Sequence, residues 1–209
     1  MGKISAMTSP ADEADVGQAA LFLWFAKAFG WPDAELVASL RGAPRGRPAL
    51  PELLGDLPGA EMAVARIKEI LDAEADDAAL LAQLQRAHGA LFEGFGGLIT
   101  VPPYESAFAG GEARLFGAPT RAIEEILARL DLRVAEATSE PADHICVELN
   151  LLAHLTLSGK DAANDRQGLL DDHLRRWLPD FVTALHGSDR LGFHAACGDL
   201  LILLIDVEA

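Results

Sequence analysis

Apolar residues return every three or four positions along most of this chain, and that interval lets a helix bury one side. Leu80, Leu84, Ala87, Leu91 and Phe95 form one such stripe; Ile123, Ile126, Leu127 and Leu130 form another. A strand needs alternation every second residue, so this period selects helices. Composition agrees: half the 209 residues are apolar but only 6% are aromatic, with Leu and Ala dominant. β-branched and aromatic residues are enriched where sheets form. The expected fold is all-α, a single-domain helical bundle. A chain of this length buries about 70% of its unfolded surface and needs no disulfide or metal to hold it.

The breakers place the elements. Helices are expected over Val16–Phe29, ended by Gly30, and from Pro32-Asp33 to Leu40. Another runs over Glu61–Leu71. One capped by Asp76 or Asp77 ends at Gly94, Gly96 and Gly97, and another spans Thr120–Leu132. Pro141 suits a first helical turn, where its missing N–H costs nothing, and that helix runs to Leu157. A helix from Asn164 or Asp165 to Leu185 contains Pro179, so a kink is expected there. The last starts near Ser188 and carries Leu191, Ala195, Gly198, Ile202 and Ile205. Residues 1–12 read as a disordered extension, 13–209 as the folded domain, and RGAPRGRPALP at 41–51 as an extended loop. The irregular segment 96–118, with Pro102-Pro103 and Gly110-Gly111, is long for a compact domain, and long loops are often functional.

A formal charge of −15, from 17 basic and 32 acidic residues, excludes a phosphate-tracking surface, so no nucleic-acid partner is expected. The same charge favours a cationic partner, or serves solubility alone. Cys146 and Cys197 do not make a disulfide framework, which fits a reducing cytoplasm. Acidic residues precede the apolar stretch at Leu21 where a signal peptide carries positive charge, and Lys27 interrupts it. No integral membrane association is expected.

Catalytic and cofactor patterns are missing from the sequence. It has no HExxH, no closely spaced cysteine pair, no GxGxxG, no GxxxxGK[ST] and no Gly-x-Ser-x-Gly. The expectation is a non-enzyme with no catalytic residue, metal ligand or cofactor. His144 and Glu148, spaced i,i+4, leave a metal-dependent hydrolase as a minor alternative, and a generic helical protein-binding scaffold is the other. Near its helix start, Asp143 suits the positive end of the dipole. Trp177, four residues after His173, suits a core anchor.

Three segments carry more than their separate parts: Val101-Pro102-Pro103-Tyr104-Glu105-Ser106-Ala107-Phe108, then Glu140-Pro141-Ala142-Asp143-His144, then Asp171-Asp172-His173 leading to Trp177, Pro179 and Phe181. In this order the chain resembles the TorD/DmsD/NarJ-type family of molybdoenzyme maturation chaperones over roughly residues 16–200. The N-terminal third joins only through its helical content. The resemblance implies an all-helical cytoplasmic chaperone that holds the molybdopterin-containing subunit of an oxidoreductase until its cofactor is inserted. Its partners would be that subunit and its twin-arginine leader, and its state a monomer or a domain-swapped dimer hinged in the loop before Glu140.

A leader with two guanidinium groups and an apolar stretch calls for carboxylates beside an apolar groove. The expected client-binding residues are Tyr104, Glu105, Ser106, Phe108, Glu140, Pro141, Asp143, His144, His173 and Trp177. Glu105, Glu140 and Asp143 are expected to converge as acceptors, His144 and Tyr104 to orient them, and Tyr104, Phe108 and Trp177 to line the groove.

Overall fold

Two helices that are apolar on nearly every side organise the molecule. A helix with no polar face is stable only when surrounded, and both Ile145–Leu157 and Phe193–Asp206 are buried along most of their lengths. A computed structural model describes residues 13–42, 54–55, 57–95, 100–109, 116–134 and 140–207. The 1–12 extension, most of the 41–51 stretch, Gly96, Gly97, Gly110, Gly111 and the segment just before Glu140 lie outside the described residues.

The helices are α1 (Glu13–Phe29), α2 (Ala34–Arg41), α3 (Glu61–Ala73), α4 (Asp77–Leu91), α5 (Ala118–Arg129), α6 (Ile145–Leu157), α7 (Ala163–Gly168), α8 (Arg175–Ser188) and α9 (Phe193–Asp206). A π-helical stretch, Leu169–Leu174, joins α7 to α8. Single 3-10 turns lie at Glu105–Ala107 and Gly159–Ala162. The fold is all-α, and no strand occurs among the described residues.

The long α1 lies along α6, α9 packs on α8, α3 and α1, and α2 packs on α4. Phe22, Phe25, Phe29, Trp177, Phe181 and Phe193 are fully buried at the heart of this bundle. At Gly198 in α9, a Cβ would lie 2.7 Å from Val182 Cγ2, so the missing side chain sets how closely α8 and α9 approach.

Caps explain several boundaries. Asp33 accepts from the Leu36 N–H at 2.8 Å and Asp76 from the Ala79 N–H at 2.8 Å, as N-cap carboxylates do. Other expectations need correction. The α4 helix ends at Leu91, ahead of the glycines. Phe95 leaves the apolar stripe, donates its N–H to the Gly89 carbonyl, and lays its ring where a Cβ of residue 89 would be.

The final helix starts at Phe193 and Leu191 precedes it. Asp189 caps it from the connection, accepting from the N–H groups of His194 and Ala195. The resolved departure from α geometry falls upstream of Pro179, in the π stretch, where the Arg175 N–H reaches back five residues to Leu170. Such wide turns recur at functional positions. This one lies within a motif segment and contains His173.

Among the described residues, no helix is long and apolar enough to cross a membrane.

Candidate functional site

The three motif segments meet in space. Pro102 and Pro103 favour extended backbone before them, and the short extended run they lead into pairs with the turn that precedes α6. Glu105 N–H donates to the Asp143 carbonyl at 3.0 Å, and Ile145 N–H to the Pro103 carbonyl at 2.9 Å, setting Tyr104 opposite His144 in one antiparallel bridge. This pairing corrects the expected helix start. Pro141 stands in a turn closed by His144 N–H on its carbonyl, and α6 begins at Ile145. His144 is the cap, its Nδ1 accepting from the Cys146 N–H at 3.1 Å.

Each motif carboxylate has a different fate. Asp143 is fully buried, and both its oxygens are engaged: the Ser106 N–H donates at 2.9 Å and the Thr120 hydroxyl at 2.7 Å. It therefore binds the loop and α5 together. Glu105 is buried 2.7 Å from His173 Nδ1 and ties the same loop to the π stretch. Glu140 alone is exposed; its carboxylate accepts from the Tyr104 hydroxyl at 2.6 Å. The Tyr104 ring meets His144 edge-on, with centroids 5.1 Å apart. Burial and the neighbouring Glu140 carboxylate both push the Tyr104 phenol upward, so it remains a donor at neutral pH.

Behind this layer lies the core. Trp177 is buried and donates from its indole to Glu148 Oε2 at 3.1 Å, while Phe108 stacks on it at 5.8 Å. Glu148 is sealed from solvent. Burial, reinforced by the nearby Glu105 charge, raises its carboxyl well above the usual range, which favours the protonated form. The His144–Glu148 pair is thus divided: one ring nitrogen caps a helix and the carboxyl faces an indole. Among the described residues, no three His, Cys, Asp or Glu side chains are grouped to hold a metal ion.

A cavity of about 680 Å³ opens beside the bridge, walled by Phe29, Trp31, Leu127, Val147 and Leu151, with Glu93, Glu140 and His144 on its polar side. Of the ten motif residues, only Glu140 and His144 line it. Phe108 and Trp177 do not; they back the loop from inside the core. His88 also lines the cavity. Burial lowers its pKa to about 4, and its Nε2 lies 3.3 Å from the Phe29 carbonyl, so the ring stays neutral and donates there. The Cys146 thiol is pushed by burial to about 12 and contacts the Ala26 carbonyl, which leaves it unreactive.

Sequence reasoning missed Trp31, His88 and Glu93. Trp31 carried a usable signal: a tryptophan between Gly30 and Pro32 has no helix face to join, and it is 53% exposed here. His88 and Glu93 carried none, because what marks them is contact with residues distant in the chain.

This all-helical architecture is shared with a solved structure. It superposes on the solved structure titled "Crystal Structure Of A Putative Redox Enzyme Maturation Protein From Archaeoglobus Fulgidus" with a TM-score of 0.56, at 22% identity, covering 89% of this chain and 93% of that one. The chain belongs to the nitrate reductase delta subunit family, whose sequence description matches residues 55–183. The resemblance carried by the three motif segments points to the same family. Curated relatives include "Chaperone protein TorD" of Vibrio atlanticus (strain LGP32), 30% identical over 115 residues, covering 51% of this chain and 54% of the relative. The protein of the same name from Escherichia coli O81 (strain ED1a) is 35% identical over 112 residues, covering 51% and 52%. The chain spans about half the length of the curated relatives it matches.

Proposed function

We propose that this protein is a non-enzymatic cytoplasmic chaperone for a molybdopterin-containing oxidoreductase subunit, working as one helical domain over residues 13–209. It binds the subunit's twin-arginine leader and holds the immature chain until cofactor insertion and before export. The name shared by its curated relatives supports the chaperone role. The observation that carries the reading is the apolar cavity of about 680 Å³ with the exposed Glu140 on its edge. That pairing matches a segment whose basic residues precede an apolar stretch.

The motif residues divide the work by depth. Glu140 receives a guanidinium, with Tyr104 fixing the carboxylate and His144 forming the wall below. Glu105, Ser106, Asp143 and His173 hold the loop against the turn, Pro141 shapes that turn, and Phe108 and Trp177 brace the loop from behind. A charge-assisted hydrogen bond contributes about 1.5–3 kcal/mol. With a few buried apolar side chains, and after ordering costs, about −8 kcal/mol is reached, which is micromolar and releasable.

The test is a titration of a synthetic twin-arginine leader, followed by isothermal calorimetry. Val147→Glu puts a charge into the cavity and is expected to weaken binding at least about tenfold, since a buried unpaired charge is costly. Glu140→Gln is expected to weaken it about fivefold. Failure of the unaltered protein to bind any such leader, or full affinity in Val147→Glu, refutes the reading.

A further inference from the structure

A second carboxylate borders the cavity, and none of the motif segments contains it. Glu93 follows α4 in a turn that winds back on that helix. Its N–H donates to the Gly89 carbonyl at 3.2 Å, Phe95 N–H reaches the same carbonyl at 2.9 Å, and Gly94 takes a φ of 72°. The Phe95 ring occupies the space that a Cβ on residue 89 would need, 2.4 Å from Cδ2, which seats the turn against α4.

The Glu93 side chain is exposed and makes no hydrogen bond or ion pair among the described residues. It lies close enough to Tyr104 for its charge to act on the phenol, as Glu140 also does from its own position. Among the described residues lining the cavity, Arg133 is the only arginine or lysine.

We infer that Glu93 is a specificity-determining residue of this cavity, joining Glu140 on the acidic edge so that a basic side chain of the client segment is received there while the following apolar residues fill the space below. The inference rests on the client-binding reading above. It adds a residue from the turn after α4, so recognition draws on the N-terminal half of the bundle as well as on the turn before α6. Glu140 is already committed to Tyr104 through one oxygen, whereas Glu93 has its whole carboxylate free. A guanidinium presents five donors in a planar fork and suits two carboxylates better than an ammonium does.

The experiment uses the full chain and two synthetic peptides. One carries two consecutive arginines before an apolar stretch; the other has both arginines replaced by glutamine. Binding is read by fluorescence anisotropy at low and high salt. Glu93→Gln is expected to weaken the arginine peptide about fivefold at low salt, to leave the glutamine peptide unchanged, and to lose most of its effect at high salt. Glu93→Lys is expected to weaken the arginine peptide further. Because the side chain carries no internal bond, neither variant is expected to alter the unfolding midpoint. If the unaltered protein binds the arginine peptide and Glu93→Gln binds it equally well, or if Glu93→Gln weakens both peptides alike, the role of Glu93 is overturned and the cavity reading survives. If the unaltered protein binds neither peptide, the client-binding reading falls first.

Discussion

Replacing Glu148 by glutamine should stabilise this protein progressively as pH rises. The carboxyl is sealed from solvent, with Oε2 accepting from the Trp177 indole and Oε1 without a partner among the described residues. Burial and the Glu105 charge raise its pKa well above the usual 4.5. The folded protein therefore keeps a proton that the unfolded chain releases once pH exceeds about 4.5. Over that window the folded state binds more protons, so stability is fully present below the unfolded pKa and is lost as pH rises toward the folded one, at about 1.4 kcal/mol per pH unit.

Glutamine keeps an acceptor for the indole and cannot ionise, so this contribution to the slope disappears. Its amide leaves a buried donor unmatched, but the protonated carboxyl has the same defect at Oε1, and the two penalties nearly offset. Urea unfolding of both proteins at pH 5, 6 and 7 measures the difference directly. The gap between variant and unaltered protein should widen by about 1.4 kcal/mol from pH 5 to pH 6. Parallel profiles, or a gap that narrows with pH, would show that Glu148 is ionised in the folded protein and refute the reasoning.

Other outcomes follow from single contacts. Asp143→Ala strands the buried Ser106 N–H and the Thr120 hydroxyl together, and should cost about 2–4 kcal/mol in urea unfolding. Asp143→Asn, which keeps one acceptor, should cost less. Gly198→Ala forces a Cβ to within 2.7 Å of Val182 Cγ2, so calorimetry should show a loss of about 1–3 kcal/mol. Burial holds the fully enclosed His194 near a pKa of about 4, below its usual 6.5. The unfolded chain then takes up the extra proton as pH falls through that interval, and stability drops by up to about 1.4 kcal/mol per unit. His194→Leu should flatten that acid limb in urea titrations between pH 4.5 and 6.5, and an unchanged limb would assign the loss elsewhere.

How much of this was legible in the chain depends on how far apart the deciding residues are. The helices were, because their signal is local: the three-to-four spacing of α4 and α5 and the capping aspartates at 33 and 76 act within a turn or two. The meeting of the three motif segments came through the family resemblance, since periodicity cannot say which loop lies on which turn. The start of α6 was misplaced for the same reason. Pro141 suits a first helical turn when read alone, but Asp143 and His144 are drawn out of the helix by the pairing with Tyr104 and Glu105, some 40 residues earlier in the chain.

The three motif carboxylates show where local reading stops. Glu105, Glu140 and Asp143 have the same chemistry in sequence, yet two are buried and the other is exposed. A carboxylate enters the interior only where donors wait for it. Those donors are Ser106 and Thr120 for Asp143, and His173 for Glu105, at separations of 37, 23 and 68 residues. Glu140 has only the Tyr104 hydroxyl and stays at the surface. The acidic motif thus combines two tasks that its sequence does not separate: the buried carboxylates fasten the loop, and the fastened loop fixes the exposed one at the cavity edge. A substitution of Asp143 or Glu105 should therefore reduce client binding together with stability, whereas Glu140→Gln should reduce binding with the unfolding midpoint unchanged. Binding lost in Asp143→Asn while its midpoint stays at the original value would contradict this division and make Asp143 a direct contact.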